Sequence, residues 1–117
     1  MGLLHFIFQF IIMTTNTIHA ASLSTKANVY FDGRCVSHSF KTASGEEKSV
    51  GVVLPSTLTF NTGKAEIMEC VAGACEYRLK GQDQWHTVNA GEQFAIVENS
   101  SFEIKVNDSF HYICHYA

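Results

Sequence analysis

Two linked stretches decide the fold: Glu66-Ile67-Met68-Glu69-Cys70-Val71-Ala72-Gly73, and Gly91-Glu92-Gln93-Phe94-Ala95-Ile96-Val97-Glu98-Asn99-Ser100-Ser101-Phe102. Each couples a glycine turn to a run of strand formers, and the residues around them keep an apolar spacing of two rather than 3.6. Leu58 and Phe60 share one strand face, as do Cys75, Tyr77 and Leu79, with Glu76, Arg78 and Lys80 opposite. Phe102, Ile104 and Val106 alternate with Glu103 and Lys105, and Tyr112, Cys114 and Tyr116 alternate with His111, Ile113 and His115. Turn signals separate these runs at Ala43-Ser44-Gly45-Glu46, Asn61-Thr62-Gly63, Lys80-Gly81-Gln82-Asp83, Asn89-Ala90-Gly91 and Asn107-Asp108-Ser109. Many short strands at this spacing, with no helical pattern after the N-terminal segment, predict an all-β sandwich or barrel. Closing or doubling the sheet removes the exposed edges that invite aggregation.

A chain of 117 residues is one domain, long enough for a real core but not for two. Hydrophobic residues are 46% and charged residues 16%, which argues for a folded domain rather than a disordered tail. The net charge of −3 leaves no basic face to release counterions from nucleic acid, so DNA and RNA are excluded as partners. Cys35, Cys70, Cys75 and Cys114 match no CxxC metal or redox spacing and are expected as free thiols packed like small hydrophobes. Free thiols fit a cytoplasmic protein, because reducing systems there make disulfides rare.

Residues 1–27 form an apolar segment and tail ahead of a domain at residues 28–117. Residues 2–13 are almost wholly apolar, with His5 and Gln9 as their polar side chains, yet they fall short of the roughly 20 apolar residues of a membrane span. Ile18-His19-Ala20-Ala21 loosely resembles a signal-peptidase site, but the positive n-region of a secretory signal is missing. Three readings stay open: an upstream start-site artefact with synthesis beginning at Met13, a cleaved signal, or a native tail. Residues 14–27 carry Thr, Ser, Asn and Ala with no sustained period and read as a lead-in.

The Glu66…Gly73 and Gly91…Phe102 units resemble the skeleton of the metal cupins, single-domain jelly-roll barrels, but without the metal ligands. In metal cupins paired histidines precede that Glu and a further His follows the second Gly. Here Leu58-Thr59-Phe60 leads toward Glu66, and Phe102 takes the later position. Iron, manganese or zinc needs several imidazole or carboxylate ligands converging on one point, and this chain offers one carboxylate among apolar neighbours. The reading is a small-molecule pocket with no metal and no cofactor.

Within that class, residues 28–116 resemble the cupin-fold pyrimidine/purine nucleoside phosphorylases. The resemblance rests on Asn28-Val29-Tyr30-Phe31-Asp32-Gly33, Val50-Gly51-Val52, Phe60-Asn61-Thr62, Glu66-Ile67-Met68 with Gly73, Trp85, Ala90-Gly91 with Phe94, Asn99-Ser100-Ser101-Phe102, and Tyr112-Ile113-Cys114-His115-Tyr116. Val97 stands where the family usually has Pro, and Ser56 follows Pro55 where Gly is common. The resemblance implies a homodimer that cleaves the N-glycosidic bond of many nucleosides with inorganic phosphate. The products would be the free base and ribose 1-phosphate. The implied substrates are uridine, thymidine, cytidine, adenosine, guanosine, inosine and xanthosine.

Phosphorolysis at C1′ passes through an oxocarbenium-like state, as glycoside cleavage does. Glu66, in the place of the inward carboxylate of the skeleton, is the candidate catalytic residue, with Met68 on its strand face. The alternative for Glu66 is a buried structural acid. Leu58, Phe60, Met68 and Phe102 are candidates for an apolar wall against which a base packs. Such a wall reads shape and stacking, so broad base tolerance follows; for Leu58 and Phe60, plain core is an equal alternative. No glycine-rich phosphate loop is present. Arg34 is the candidate phosphate ligand, while Arg78 falls on a solvated face. His38, His111 and His115 carry imidazoles of a kind that can pass a proton to a leaving base, but they are expected as surface or cross-strand residues, as is His86. Two other classes compete: a non-enzymatic small-molecule-binding cupin, and a metal-dependent cupin oxygenase or isomerase, which the missing His-x-His pair argues against.

Overall fold

A computed structural model describes residues 17–117. The apolar segment at residues 2–13 lies outside the described residues. The period-two alternation resolves into ten strands: β1 (Ser22–Leu23), β2 (Asn28–Tyr30), β3 (Cys35–Lys41), β4 (Glu47–Val53), β5 (Ser56–Asn61), β6 (Glu66–Leu79), β7 (His86–Asn89), β8 (Gln93–Ile96), β9 (Ser101–Val106) and β10 (Phe110–Tyr116). One 3₁₀ turn, Phe31–Gly33, joins β2 to β3, and no α-helix occurs among the described residues. All five expected turns fall between strands. The lead-in is more structured than its composition suggests. β1 pairs with β3, and Ser24 N–H donates to the Ser39 carbonyl at 2.8 Å.

The hydrogen-bonded order β1-β3-β4-β10-β6-β9-β5 runs through two faces of one curled sheet. β6 belongs to both: its first half pairs with β10 and β8, its second half with β7 and β9. A bulge lets it turn the corner. His111 lies opposite Ala72 and Tyr112 opposite Cys70, so Val71 is the extra residue. Gly73 follows with φ +76, and a Cβ there would run into the Ser109 carbonyl oxygen. The extra residue also exchanges the faces of β6. Met68 and Cys70 are buried before the bulge, Cys75 after it, with Tyr77 and Leu79 packed on the same core.

Between the two faces lies the core, where Phe110, Ile104, Val53, Cys35 and Cys70 are essentially without solvent contact. An aromatic run crosses it: Phe102 meets Phe94 edge-on at 5.9 Å, and Phe94 stacks on Tyr77 at 4.0 Å. Outside the second face, Arg78 pairs with Glu103 at 2.6 Å and Lys105 with Glu76 at 3.7 Å. Both cations cover the Trp85 ring, at 4.6 and 4.3 Å from its centroid. Among the described residues no helix is long and apolar enough to cross a membrane.

Candidate active site

At one end of the barrel a cavity of about 320 Å³ opens between the two faces, a size within the usual range for small-molecule sites, roughly 300–1,000 Å³. Its two sides differ in chemistry. β5, β9 and the 3₁₀ turn supply aromatic rings: Phe60 stacks with Phe102 at 5.6 Å, and Phe31 meets Phe60 edge-on at 5.3 Å. β3, β4 and β10 supply hydroxyls: Ser37, Ser49, Tyr112 and Tyr116, with the Cys114 thiol among them. These strands alternate inward residues that are small or hydroxylated, so the backbone stays close and leaves room. Gly51 serves the same end, since a Cβ there would stand 2.8 Å from the Ser37 Cβ and 2.9 Å from the Tyr112 hydroxyl.

The polar side is knitted together. Tyr116 and Ser49 hydroxyls lie 3.0 Å apart, the Tyr112 hydroxyl is 3.6 Å from Cys35 Sγ, and Asn28 Nδ2 donates to Ser37 and Ser39 at 3.3 Å each. Burial pushes the Tyr116 phenol and the Cys114 thiol up to about 12, so both stay protonated near neutrality. Glu66 is the only carboxylate among the lining residues. It is half-buried, and desolvation raises its carboxyl above the usual range, opposed in part by a hydrogen bond from Cys114.

Glu66, Met68, Phe60 and Phe102 therefore come together on this cavity, whereas Leu58 packs into the core at 3% exposure and does not line it. Arg34 is exposed and does not line it either. Its Nε donates to the Phe31 carbonyl at 3.0 Å, and its backbone N–H donates to the same oxygen at 3.2 Å. Arg34 thus braces the turn that carries Phe31 to the cavity mouth. Phe31 and Asp32 both hold positive φ, 52° and 55°, a strain of roughly 1–3 kcal/mol each that is typical of functional loops.

Several lining residues escaped the sequence reading. Tyr112, Cys114 and Tyr116 were legible as one face, but alternation alone does not say which face is inward. Phe31 carried no signal beyond membership of the Asn28–Gly33 string, and Ser37 and Ser49 carried none. The histidines lie elsewhere: His38 Nδ1 contacts the Ser24 carbonyl at 2.9 Å, His111 is exposed, and His115 bridges Glu69, at 2.8 Å, and Lys48 on the outer surface. Among the described residues no group of three His, Cys, Asp or Glu side chains is placed to share a metal ion.

The curled all-β sheet with its open, amphipathic end has the cupin-like fold expected from the sequence, and the comparisons narrow the class. The family described as pyrimidine/purine nucleoside phosphorylase matches residues 25–116. A protein of that name from Delftia acidovorans is 64% identical over 105 residues, covering 90% of this chain and all of the relative. Among solved structures, a protein of unknown function from Acinetobacter sp. ADP1 superposes with a TM-score of 0.84 at 33% identity, covering 86% of this chain and 98% of that one. Another of unknown function from Vibrio parahaemolyticus gives 0.76 at 41% identity, with coverage of 80% and 99%. The chain belongs to the pyrimidine/purine nucleoside phosphorylase family.

Proposed function

We propose that the protein cleaves purine and pyrimidine nucleosides with inorganic phosphate, releasing the free base and ribose or deoxyribose 1-phosphate. The observation that carries this reading is the two-sided cavity: an aromatic wall at Phe31, Phe60 and Phe102 faces a hydroxyl-lined floor with Glu66 at its edge. A flat base packs on the wall, where stacking discriminates little between purines and pyrimidines. Ribose hydroxyls pair with the floor. A phosphate oxygen donates its electron pair to C1′ as the C1′–N bond pair leaves with the base, and the base nitrogen takes up the proton of monohydrogen phosphate. As C1′ becomes cationic, the Glu66 carboxylate beside it offsets the charge, an interaction stronger in the transition state than in the ground state.

The family resemblance also supports a homodimer, for which the outer face around the exposed Val50 and Ile67 offers apolar area. Four buried free thiols support a cytoplasmic location. The test is base release from uridine or inosine by the purified chain, with and without inorganic phosphate and a chelator. Release that requires phosphate and ignores the chelator is expected. Equal release in phosphate-free buffer would make the protein a hydrolase, and a nucleoside that stays bound and intact would make it a binding cupin.

A further inference from the structure

A second cavity, of about 660 Å³, meets the first at Glu66 and Tyr116, which line both. Its other walls are β1 with Ser24, the end of β3, the start of β4 and the Gly63-Lys64 turn, and they bring three cations, Lys41, Lys48 and Lys64, against the acids Glu47 and Glu66. The cations are not equivalent. Lys48 is committed outward, its Nζ against His115 Nδ1 and 3.8 Å from Glu46. Lys41 Nζ lies 3.9 Å from Glu47, a loose contact with both side chains mostly exposed. Lys64 has no ion pair among the described residues.

The turn that carries Lys64 is held rigidly. Thr62, itself buried, donates its hydroxyl to the Val97 carbonyl at 2.8 Å and accepts the Ser100 N–H at 2.9 Å, while Asn99 N–H donates to the Gly63 carbonyl at 3.0 Å. Asn99 takes a positive φ of 52° to do so. This gives the Asn99-Ser100-Ser101 string a purpose that the first cavity leaves unexplained. Its backbone fixes Lys64 two residues before Glu66.

Displacement at C1′ needs the entering oxygen and the leaving nitrogen on opposite sides of the carbon. With the base on the aromatic wall and the sugar at Glu66, the attacking group comes from beyond Glu66, where the second cavity lies. Resting on the function proposed above, we infer that inorganic phosphate binds in this second cavity, gripped by Lys64 and assisted by Lys41, with Ser39 and Tyr116 hydroxyls available to its oxygens. Arg34 is a brace for the Phe31 turn and not the phosphate ligand.

Steady-state kinetics of the full chain, with inosine saturating and phosphate varied, test this on Lys64→Gln, Lys41→Gln and Arg34→Gln. Lys64→Gln raises the phosphate KM by at least about tenfold, the loss of one charge-assisted hydrogen bond, with the inosine KM within about twofold of wild type. Lys41→Gln gives a smaller rise, while Arg34→Gln, which loosens the Phe31 turn, acts on the inosine KM and not on the phosphate KM. An unchanged phosphate KM in Lys64→Gln, or a rise carried by Arg34→Gln, overturns the site while leaving phosphorolysis intact. Phosphate-independent release by the wild type instead overturns the function itself. Calorimetric titration with inorganic phosphate alone gives a readout apart from turnover: binding that Lys64→Gln weakens by about tenfold or more supports the site, and binding of unchanged affinity refutes it.

Discussion

Replacing Glu66 by Gln removes the one carboxylate of the cavity while keeping its shape and most of its hydrogen bonding. A full positive charge about 4 Å from a carboxylate at the protein surface is worth about 4 kcal/mol at an effective dielectric constant of about 20. With roughly half a charge developed at C1′, the loss is about 2 kcal/mol, or about thirtyfold in kcat. Phosphate-dependent base release from saturating inosine and uridine measures it. Because burial raises this carboxyl in the folded state, the wild-type kcat falls at acid pH from above the ordinary carboxylate range, and that limb is absent in the variant. Stability moves in the opposite sense. A group whose folded-state value is raised stabilises fully below its unfolded value and loses that contribution as pH rises through the folded one. Glu66→Gln therefore melts at or above the wild-type temperature near neutrality, and its advantage shrinks toward acid. A kcat within twofold of wild type on both nucleosides, in a variant that melts normally, would reduce Glu66 to a structural acid.

Two further outcomes concern the scaffold. Gly73→Ala costs at least about 2 kcal/mol, lowering the melting temperature by roughly 8 °C or more, because both its φ and the Ser109 carbonyl oppose a Cβ; Gly45→Ala, with φ +91 and open space around it, costs only the backbone part, and equal losses would show that the close approach at Gly73 is unimportant. All four thiols titrate in denatured, unreduced protein, while native protein resists alkylation at pH 8, since burial raises every one of them and holds Cys75 and Cys114 at about 12; fewer than four thiols after denaturation would reveal a disulfide.

The fold was legible because alternation and turn chemistry are local. Cys75, Tyr77 and Leu79, or Phe102, Ile104 and Val106, announce a strand face without knowledge of its partners. The candidate site was legible only where one residue type is chemically unusual in its setting, as Glu66 is among apolar neighbours. Phe31, Ser37, Ser49 and Tyr116 reach the same cavity from four separate segments, and their meeting depends on register across β3, β4 and β10. Arg34 shows the converse. Its place after Asn28–Gly33 suggested an anion ligand, and in the fold its Nε donates to the Phe31 carbonyl three residues back, a contact the sequence did not announce. β1 escaped notice because two residues are too few to show any period.

The bulge in β6 works like a reading frame. Everything from Cys75 to Leu79 faces the interior only because the count of residues between Cys70 and Ala74 is what it is. Removing one residue there would turn Tyr77 and Leu79 toward water and drive Glu76 and Arg78 inward, although no side chain named in the cavity had been touched. Drift in the identities of Val71 and Ala72 is cheap by comparison. In this segment length, more than chemistry, is what selection has to guard.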